Sequence, residues 1–307
     1  MEPEAEGGNA SKPCSTLETM LVLATSTNAL ELSEEDYTLL DALAALGVPA
    51  KLVAWDDPSF EWAHASHVLI RTTWDYHLRL PEFLAWLDRV SASATIWNSP
   101  ALIRWNSDKR YLLELQEKGV PIVESLAATE PIDVAVAAEA MNWPSIVIKP
   151  TVAAGAYETL VFELPENTAA AQAHFERLIA KGTVLIQPYI DGIVVEGETS
   201  LVFFDGFFSH AVKKKPKAGD FRVQIEFGGK YTVVEPTPAQ TETAERIMAA
   251  LPETPLYARI DLVDVEGHPR LMELELIEPE LFFLFVPEAA VEFADIVRER
   301  IAEHTLR

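Results

Sequence analysis

The strongest constraint on this chain is a pair of apolar segments near its C-terminus, YARIDLV (Tyr257 to Val263) and RLMELEL (Arg270 to Leu276), joined by a short link containing Gly267. Runs of this length and composition read as strands, and so short a link makes them a hairpin. A three-residue loop, Glu266 to His268, pairs Val265 with Pro269 and therefore sets Asp261 opposite Glu273. Side chains alternate along a strand, so Glu273 and Glu275 share one face while Met272, Leu274 and Leu276 point the other way into a core. Directly opposed residues have Cβ atoms about 5 Å apart, so three carboxylates crowd one spot. Two readings compete. Either the face is exposed and water screens the charges, or divalent cations sit between the carboxylates. In the second case Mg²⁺ is the natural ion, because it takes one or two carboxylates together with phosphate oxygens. A nucleotide is then expected nearby.

The rest of the chain frames this hairpin. ETMLVLAT, PAKLVAW, SHVLIRTTW and SATIWNS read as strands, with EEDYTLLDALAALG and LPEFLAWLDRVS as helices. Their alternation argues for an open α/β sheet over residues 18–105. Such sheets bind ligands at the C-terminal ends of their strands, where RTTWDY (Arg71 to Tyr76) lies. A second unit, 106–186, is expected to comprise helix NSDKRYLLELQEKG, strands PIVES, PSIVIKP and TLVFEL, loop TVAAGAYE, a helix from Asn167 to Lys181 and strand TVLIQPYI. The remainder, 187–307, is rich in strands, RVQIEF among them, with one internal helix and one closing helix. The expected class is an α/β domain fused to an α+β body. Residues 1–17 are polar and acidic and read as a disordered tail.

A nucleotide site needs cations, and three places supply them. Lys149 ends the apolar strand SIVIKP, with Ile146 and Ile148 on one face and Val147 and Lys149 on the other. That is the position of a snorkelling edge lysine or of a phosphate-binding one. The loop after it is rich in small residues and could cover phosphates with backbone N–H groups. Lys109 sits in the first turn of its expected helix, where a cation opposes the dipole unless an anion compensates. In HAVKKKPKAGDFR, Lys214 points opposite to Lys213 and Lys215, so at least one lysine faces the covered side of its sheet. Past Gln187-Pro188, the backbone groups of Tyr189 and Ile190 are expected to be free to read a planar base.

Charge narrows the partners. The chain carries 48 Asp and Glu against 24 Lys and Arg, a formal charge of −24. Phosphate backbones and anionic membranes are repelled by such a surface, so neither nucleic acid nor membrane is an expected partner. No apolar run approaches the roughly 20 residues of a membrane span. The N-terminus lacks the layout of a secretory signal, and the single cysteine, Cys14, excludes internal disulfides. A cytoplasmic protein is expected.

No one of these elements is specific, but their order is. IRTTWDY, RWNSDKRYLLELQEKGVPIV, IKPTVAAGA, QPYI, GETSLVFFDG, SHAVKKKPKAGDFRVQ and LMELELIEP together resemble the ATP-grasp superfamily. The resemblance is to its glutathione-synthetase-like branch, and within that to the O-ureido-serine cyclo-ligase family of cycloserine biosynthesis. It covers nearly the whole chain after the tail and implies an ATP-grasp fold preceded by the open α/β domain.

Residue by residue, the resemblance implies that Lys109 and Lys149 hold ATP phosphates under a lid formed by Thr151 to Ala156, with Ala154, Gly155 and Ala156 at its tip. It implies that Gln187, Tyr189 and Ile190 form the adenine hinge, with Glu198 near the ribose. Asp261, Glu273 and Glu275 match the Mg²⁺ ligands, two ions being expected, with Mn²⁺ as a substitute. Lys214 and Arg222 match the catalytic cations facing the γ-phosphate and the substrate carboxylate. Arg71, Trp74, Asp75 and Tyr76 fall where substrate contacts arise. Two departures stand out. Glu275 replaces the more usual asparagine, which should tighten the metals or raise one carboxylate's pKa without them, and the lid has fewer glycines than many.

The implied chemistry is an ADP-forming ligation through an acyl-phosphate on a small amino acid derivative, whose own nitrogen closes a ring. The alternative is an intermolecular ligase of the glutathione-synthetase type, followed by a non-catalytic nucleotide-binding regulator. Relatives are often dimers or tetramers, so a homo-oligomer fits the resemblance. Glu278 is read either as shaping the substrate end of the cleft or as the exit from the strand. Glu280 is read as a solvated turn residue.

Overall fold

The computed structural model describes residues 20–29, 34–217, 219–220 and 222–305. The expected tail, with Cys14, lies outside them.

Three sheets make up the described chain. The first contains β1 (Leu21–Thr25), β2 (Ala50–Ala54), β3 (His67–Thr72) and β4 (Thr95–Trp97), in the order β2-β1-β3-β4 and parallel throughout. Strand alternation decides how its two faces are covered. Leu21, Leu23 and Leu69 face α1 (Glu34–Ala45), while Val22, Val68 and Ile70 face α2 (Leu80–Ser91). A sheet buried on both faces explains the nearly continuous apolar runs of β1 and β3. Helix α3 (Pro100–Asn106), N-capped by the Ser99 side chain, then leads to α4 (Tyr111–Glu117).

The second sheet is antiparallel, ordered β5-β8-β6-β7, from β5 (Leu126–Ala128), β6 (Ser145–Pro150), β7 (Leu160–Glu163) and β8 (Val184–Pro188). It packs on α5 (Val134–Ala140) and α6 (Thr168–Ile179). A short helix, α7 (Gly192–Val195), leads to the third sheet. This one is antiparallel with order β11-β10-β9-β12-β13, from β9 (Glu198–Phe204), β10 (Phe207–Lys215), β11 (Lys230–Val234), β12 (Tyr257–Val265) and β13 (His268–Glu275).

The third sheet positions the site. Leu201, Phe203, Ala258 and Ile260 face a core closed by α4 and by α8 (Pro238–Ala250). On the opposite face the same strands carry Val202, Phe204 and Tyr257 at one end. These join α1 and α9 (Pro287–Thr305) in a second core. Farther along that face stand Ser200, Lys214, Arg259 and Asp261. The first and third sheets therefore share an apolar core, with Phe293 of α9 packed among residues of both.

Four expectations change. The hairpin loop has two residues, Glu266 and Gly267, and Val265 pairs with His268, not Pro269. Both loop residues have positive φ, +56° and +81°, as the two-residue turn matching strand twist requires. A bulge at Met272 then restores the Asp261–Glu273 pairing and turns Met272 towards the cleft, so Leu271 takes its place in the core. PIVES is not a strand; it runs beside β13 with one bridge, Ile122 to Leu271. RVQIEF holds a single 3₁₀ turn, Ile225–Phe227, and the strand is β11. Finally, NSDKRYLLELQEKG is split between the end of α3 and α4, so Lys109 lies in the turn before a helix, not in its first turn.

Candidate active site

β13 is an edge strand, and an unpaired edge leaves backbone groups open. Here side chains close it. Leu276 N donates to Asn106 Oδ1 (2.9 Å), Asn106 Nδ2 donates to Leu274 O (2.9 Å), and Leu274 N donates to Tyr111 Oη (3.0 Å). Asn98 Nδ2 donates to Tyr257 O and Leu276 O. These contacts fix the hairpin's acidic face beside a cleft of about 600 Å³ bounded by the second and third sheets and by the segment after β3.

The acids on that face are buried or half-buried and each is met by cations. Asp261 accepts from Lys214 Nζ (3.1 Å), from Arg259 Nη2 (3.0 Å) and from Ser200 Oγ (2.6 Å). Burial alone would raise its pKa, but Arg259 and Lys214 more than offset this and hold it well below the usual carboxylate range. Glu273 pairs with Lys109 Nζ at 2.9 Å. Glu275 pairs with Arg259, yet burial, with Asp261 and Glu273 adding to it, pushes it up to about 7. That is the consequence expected of a third acid in the asparagine position. Among the described residues, no three His, Cys, Asp or Glu side chains stand close enough to cage a metal ion.

Lys149 behaves differently. It is 8 % exposed, lines the cleft, and its side chain makes no ion pair or hydrogen bond to a described residue. Burial lowers its pKa, with Glu273 acting in the opposite sense. Lys109 Nζ also reaches Ala153 O, and its backbone N–H donates to Thr151 O (2.9 Å), so the loop after β6 begins on the lysine turn. Ala154, Gly155 and Ala156 line the cleft, with φ of +58° at Gly155 and +59° at Ala156. At the loop's far end Glu158 pairs with Arg177.

Gln187, Tyr189 and Ile190 all line the cleft. Contrary to the expectation from sequence, the backbone N–H of Tyr189 is engaged: it donates to Ser145 O (2.9 Å), because the β6–β8 pairing runs on past Pro188. Glu198, at the start of β9, is paired with Lys214 and has its pKa raised by burial. Arg222 lines the cleft, pairs with Asp220 (2.7 Å) and stacks on Phe227 with 3.7 Å to the ring centroid.

Of the four N-terminal residues, Trp74 and Tyr76 line the cleft and the other two do not. Arg71 is fully buried beneath the strand end, held by Glu35 (2.8 Å), Asp36 (3.1 Å) and Pro279 O (3.2 Å). A guanidinium without water needs such partners, and they turn it away from the cleft. Asp75 accepts from Trp55 Nε1 (2.9 Å) and from Arg79 (2.6 Å). Its acceptors are used within the first unit.

Arg259 is the cleft residue that sequence reasoning missed. Strand alternation places it on the face of Asp261, two residues on, and that signal could have found it. Asn106 and Tyr111, the supports of β13, carried no such signal, since their partners are backbone groups 163 to 170 residues away.

Residues 21–98 match the family described as the N-terminal domain of D-cycloserine synthetase DcsG, and residues 124–280 match the prokaryotic glutathione synthetase ATP-grasp domain. The chain is 32 % identical over 297 residues to the cycloserine biosynthesis protein DcsG of Streptomyces lavendulae, covering 92 % of this chain and 99 % of that one. The crystal structure of D-cycloserine synthetase DcsG superposes with a TM-score of 0.84 at 30 % identity, over 92 % of this chain and 99 % of that one. A glutathione synthetase of Prochlorococcus marinus is 27 % identical over 180 residues, 56 % of this chain and 54 % of the relative. The chain belongs to the ATP-grasp ligases of the glutathione-synthetase type, in the group that carries the D-cycloserine synthetase N-terminal domain.

Proposed function

We propose that this chain is an ADP-forming carboxylate–amine ligase that activates a small amino acid derivative as its acyl-phosphate and closes a ring with the substrate's own nitrogen. The observation that carries the reading is Lys149, a buried ammonium facing the cleft with no protein partner. A buried cation without an anion is costly, and a nucleotide phosphate supplies the anion.

The donor set fits Mg²⁺ in kind, since Asp261, Glu273 and Glu275 offer only hard carboxylate oxygens. One or two of them, together with phosphate oxygens, would hold it, and when bound it supplies neutralisation of phosphate charge. Each carboxylate now faces Lys109, Lys214 or Arg259, so those cations are already poised where anionic groups would enter. Lys109 and Lys149 are assigned to the phosphates, and Gln187, Tyr189 and Ile190 to the base, with Glu198 near the ribose. Main-chain recognition of the base falls to Ile190, because the N–H of Tyr189 is taken. The lid residues Ala154, Gly155 and Ala156 exclude water from the transferring group. Arg222 and Lys214 meet the charge that develops as the substrate carboxylate attacks the γ-phosphorus. Trp74 and Tyr76 bound the substrate end.

Intermolecular ligation is the second reading, favoured by the glutathione-synthetase character of residues 124–280. The two readings share the nucleotide end of the cleft and differ at the Trp74 and Tyr76 end. ADP release from the purified protein, measured with single and then paired amino acid substrates, separates them. ADP formed with one substrate alone supports ring closure, an absolute requirement for a pair overturns it, and ATP binding without ADP for any acid removes both.

A further inference from the structure

Beyond β13 the chain turns through Ile277, Glu278, Pro279 and Glu280, and Glu278 and Glu280 line the cleft together with Trp74 and Tyr76. Glu278 lies near Tyr76 and is 9 % exposed. Every other buried or half-buried carboxylate of the hairpin face meets a lysine or arginine. Glu278 meets none, and no hydrogen bond to a described residue satisfies it. Burial, with Glu275 adding to it, holds its carboxyl well above the usual range. The cations nearest to it, Lys109 and Arg259, are committed to Glu273 and to Asp261 and Glu275.

The backbone around Glu278 is pinned on every side. Tyr257 Oη donates to Ile277 O (2.8 Å), Arg71 Nη1 donates to Pro279 O (3.2 Å), and Leu281 N donates to Glu35 Oε1 (2.6 Å). All three partners are buried. The backbone that carries Glu278 is therefore held in place by contacts to the core shared by the first and third sheets. An acid fixed in this way and left without a cation is an incomplete ion pair, preorganised for a ligand that completes it.

We propose that Glu278 is the anchor for the protonated amine of the substrate, so that the enzyme takes zwitterionic α-amino acids and rejects the matching α-hydroxy and N-acyl acids. The inference rests on reading the cleft as the site of a carboxylate-activating ligase. An ammonium suits this carboxyl better than a further metal ion. Magnesium requires near-octahedral oxygen coordination, whereas Glu278 lies close enough to the Tyr76 ring for the two to interact, with Trp74 also lining the cleft, and aromatic rings favour an organic cation.

The test compares wild type with E278Q on the full chain. Glu278 has no protein partner to lose, so E278Q melts at or above the wild-type temperature, which is measured first. ADP release is then followed with Mg²⁺ and ATP, using small α-amino acids with alkyl, hydroxyl, carboxyl and O-ureido side chains and their α-hydroxy counterparts. In wild type the amino acid is favoured in kcat/KM by about 10²-fold, the scale of a buried charge pair left half empty. In E278Q the preference falls to near unity, while the KM for ATP and the Mg²⁺ activation profile stay unchanged. Retention of the preference in E278Q, equal use of hydroxy acids by wild type, or a shift in the Mg²⁺ profile alone each overturns the assignment and leaves the ligase reading standing. If no acid releases ADP, the ligase reading fails, and calorimetry decides the anchor by itself. The same amino acids are titrated onto protein loaded with Mg²⁺ and a non-hydrolysable ATP analogue. Binding that is lost in E278Q supports the anchor, and absence of binding to wild type overturns it.

Discussion

Asp261 and Glu273 stand directly opposite each other on β12 and β13, and the bulge at Met272 is what brings them into that register. With a two-residue loop and no bulge, Asp261 would oppose Met272 and the acidic face would be broken. The bulge is thus part of the site, as bulges beside functional residues often are.

Glu273→Gln keeps the shape of that pairing and removes its charge. Lys109 retains Ala153 O, so the fold is expected to lose only about 1 kcal/mol. ADP formation is expected to fall by roughly 10²–10³-fold, the usual loss when one group stabilising a developing charge is removed. Melting curves and an ADP-release assay read the two effects separately. Near-wild-type turnover would remove Glu273 from the proposed machinery.

Lys149→Met should separate stability from function in the opposite direction. The wild-type ammonium is buried without an anion, so its replacement by a flexible apolar chain is expected to leave the nucleotide-free protein as stable or more stable, by about 1 kcal/mol. Nucleotide affinity is expected to drop about 10²-fold or more. Differential scanning calorimetry and titration with a non-hydrolysable ATP analogue check both. A destabilised variant with unchanged affinity would make Lys149 a structural residue.

Arg259 and Arg222 both line the cleft but are built into it differently. Arg259 is buried between Asp261 and Glu275, and Arg259→Met strands both acids. A loss of about 3 kcal/mol is expected, partly recovered when Mg²⁺ is added. Arg222 touches Asp220 and the Phe227 ring at the surface of its loop. Arg222→Ala is therefore expected to change stability by less than about 0.5 kcal/mol while abolishing most ADP formation. Denaturation with and without Mg²⁺, beside the activity assay, distinguishes the two. Equal destabilisation by both substitutions would contradict the contrast.

How much of this was legible in the sequence depends on the range of the interactions concerned. Lys149 and Lys214 were readable because strand alternation is local: Ile146 and Ile148 are buried in one core, and Lys149 faces away from them. The Asp261–Glu273 pairing came out correctly although the loop was read one residue too long, since the unseen bulge supplied the compensating residue. Arg71 was misplaced because its partners, Glu35 and Pro279, lie 36 and 208 residues away, and nothing near RTTWDY signals that an arginine will turn inward. The same distance hid the bracing of β13 by Asn106 and Tyr111. The open α/β sheet and the strand-rich body after it were anticipated in outline, but the shared core of α1 and α9 was not, because helical periodicity names an apolar face without naming what covers it.

Glu35 gives the fold a pH dependence that is separate from the cleft acids. Burial pushes it up to about 8 from an ordinary value of 4.5, against the pull of Arg71, with Glu280 and Asp36 adding to the rise. Its Oε1 accepts from Arg71 Nη2 and from Leu281 N, and a neutral carboxyl can keep both bonds. An acid whose folded pKa is raised binds more protons folded than unfolded. Its stabilising contribution is therefore complete below about 4.5 and is lost as pH rises through about 8. Glu35→Gln mimics the protonated form and should not lose it. Relative to this variant, wild type is expected to weaken by up to about 1.4 kcal/mol per pH unit across that window. Urea denaturation of both proteins at pH 5.5, 7 and 9 tests this, and a difference between wild type and Glu35→Gln that stays constant over this range would show that Glu35 is ionised in its pocket throughout.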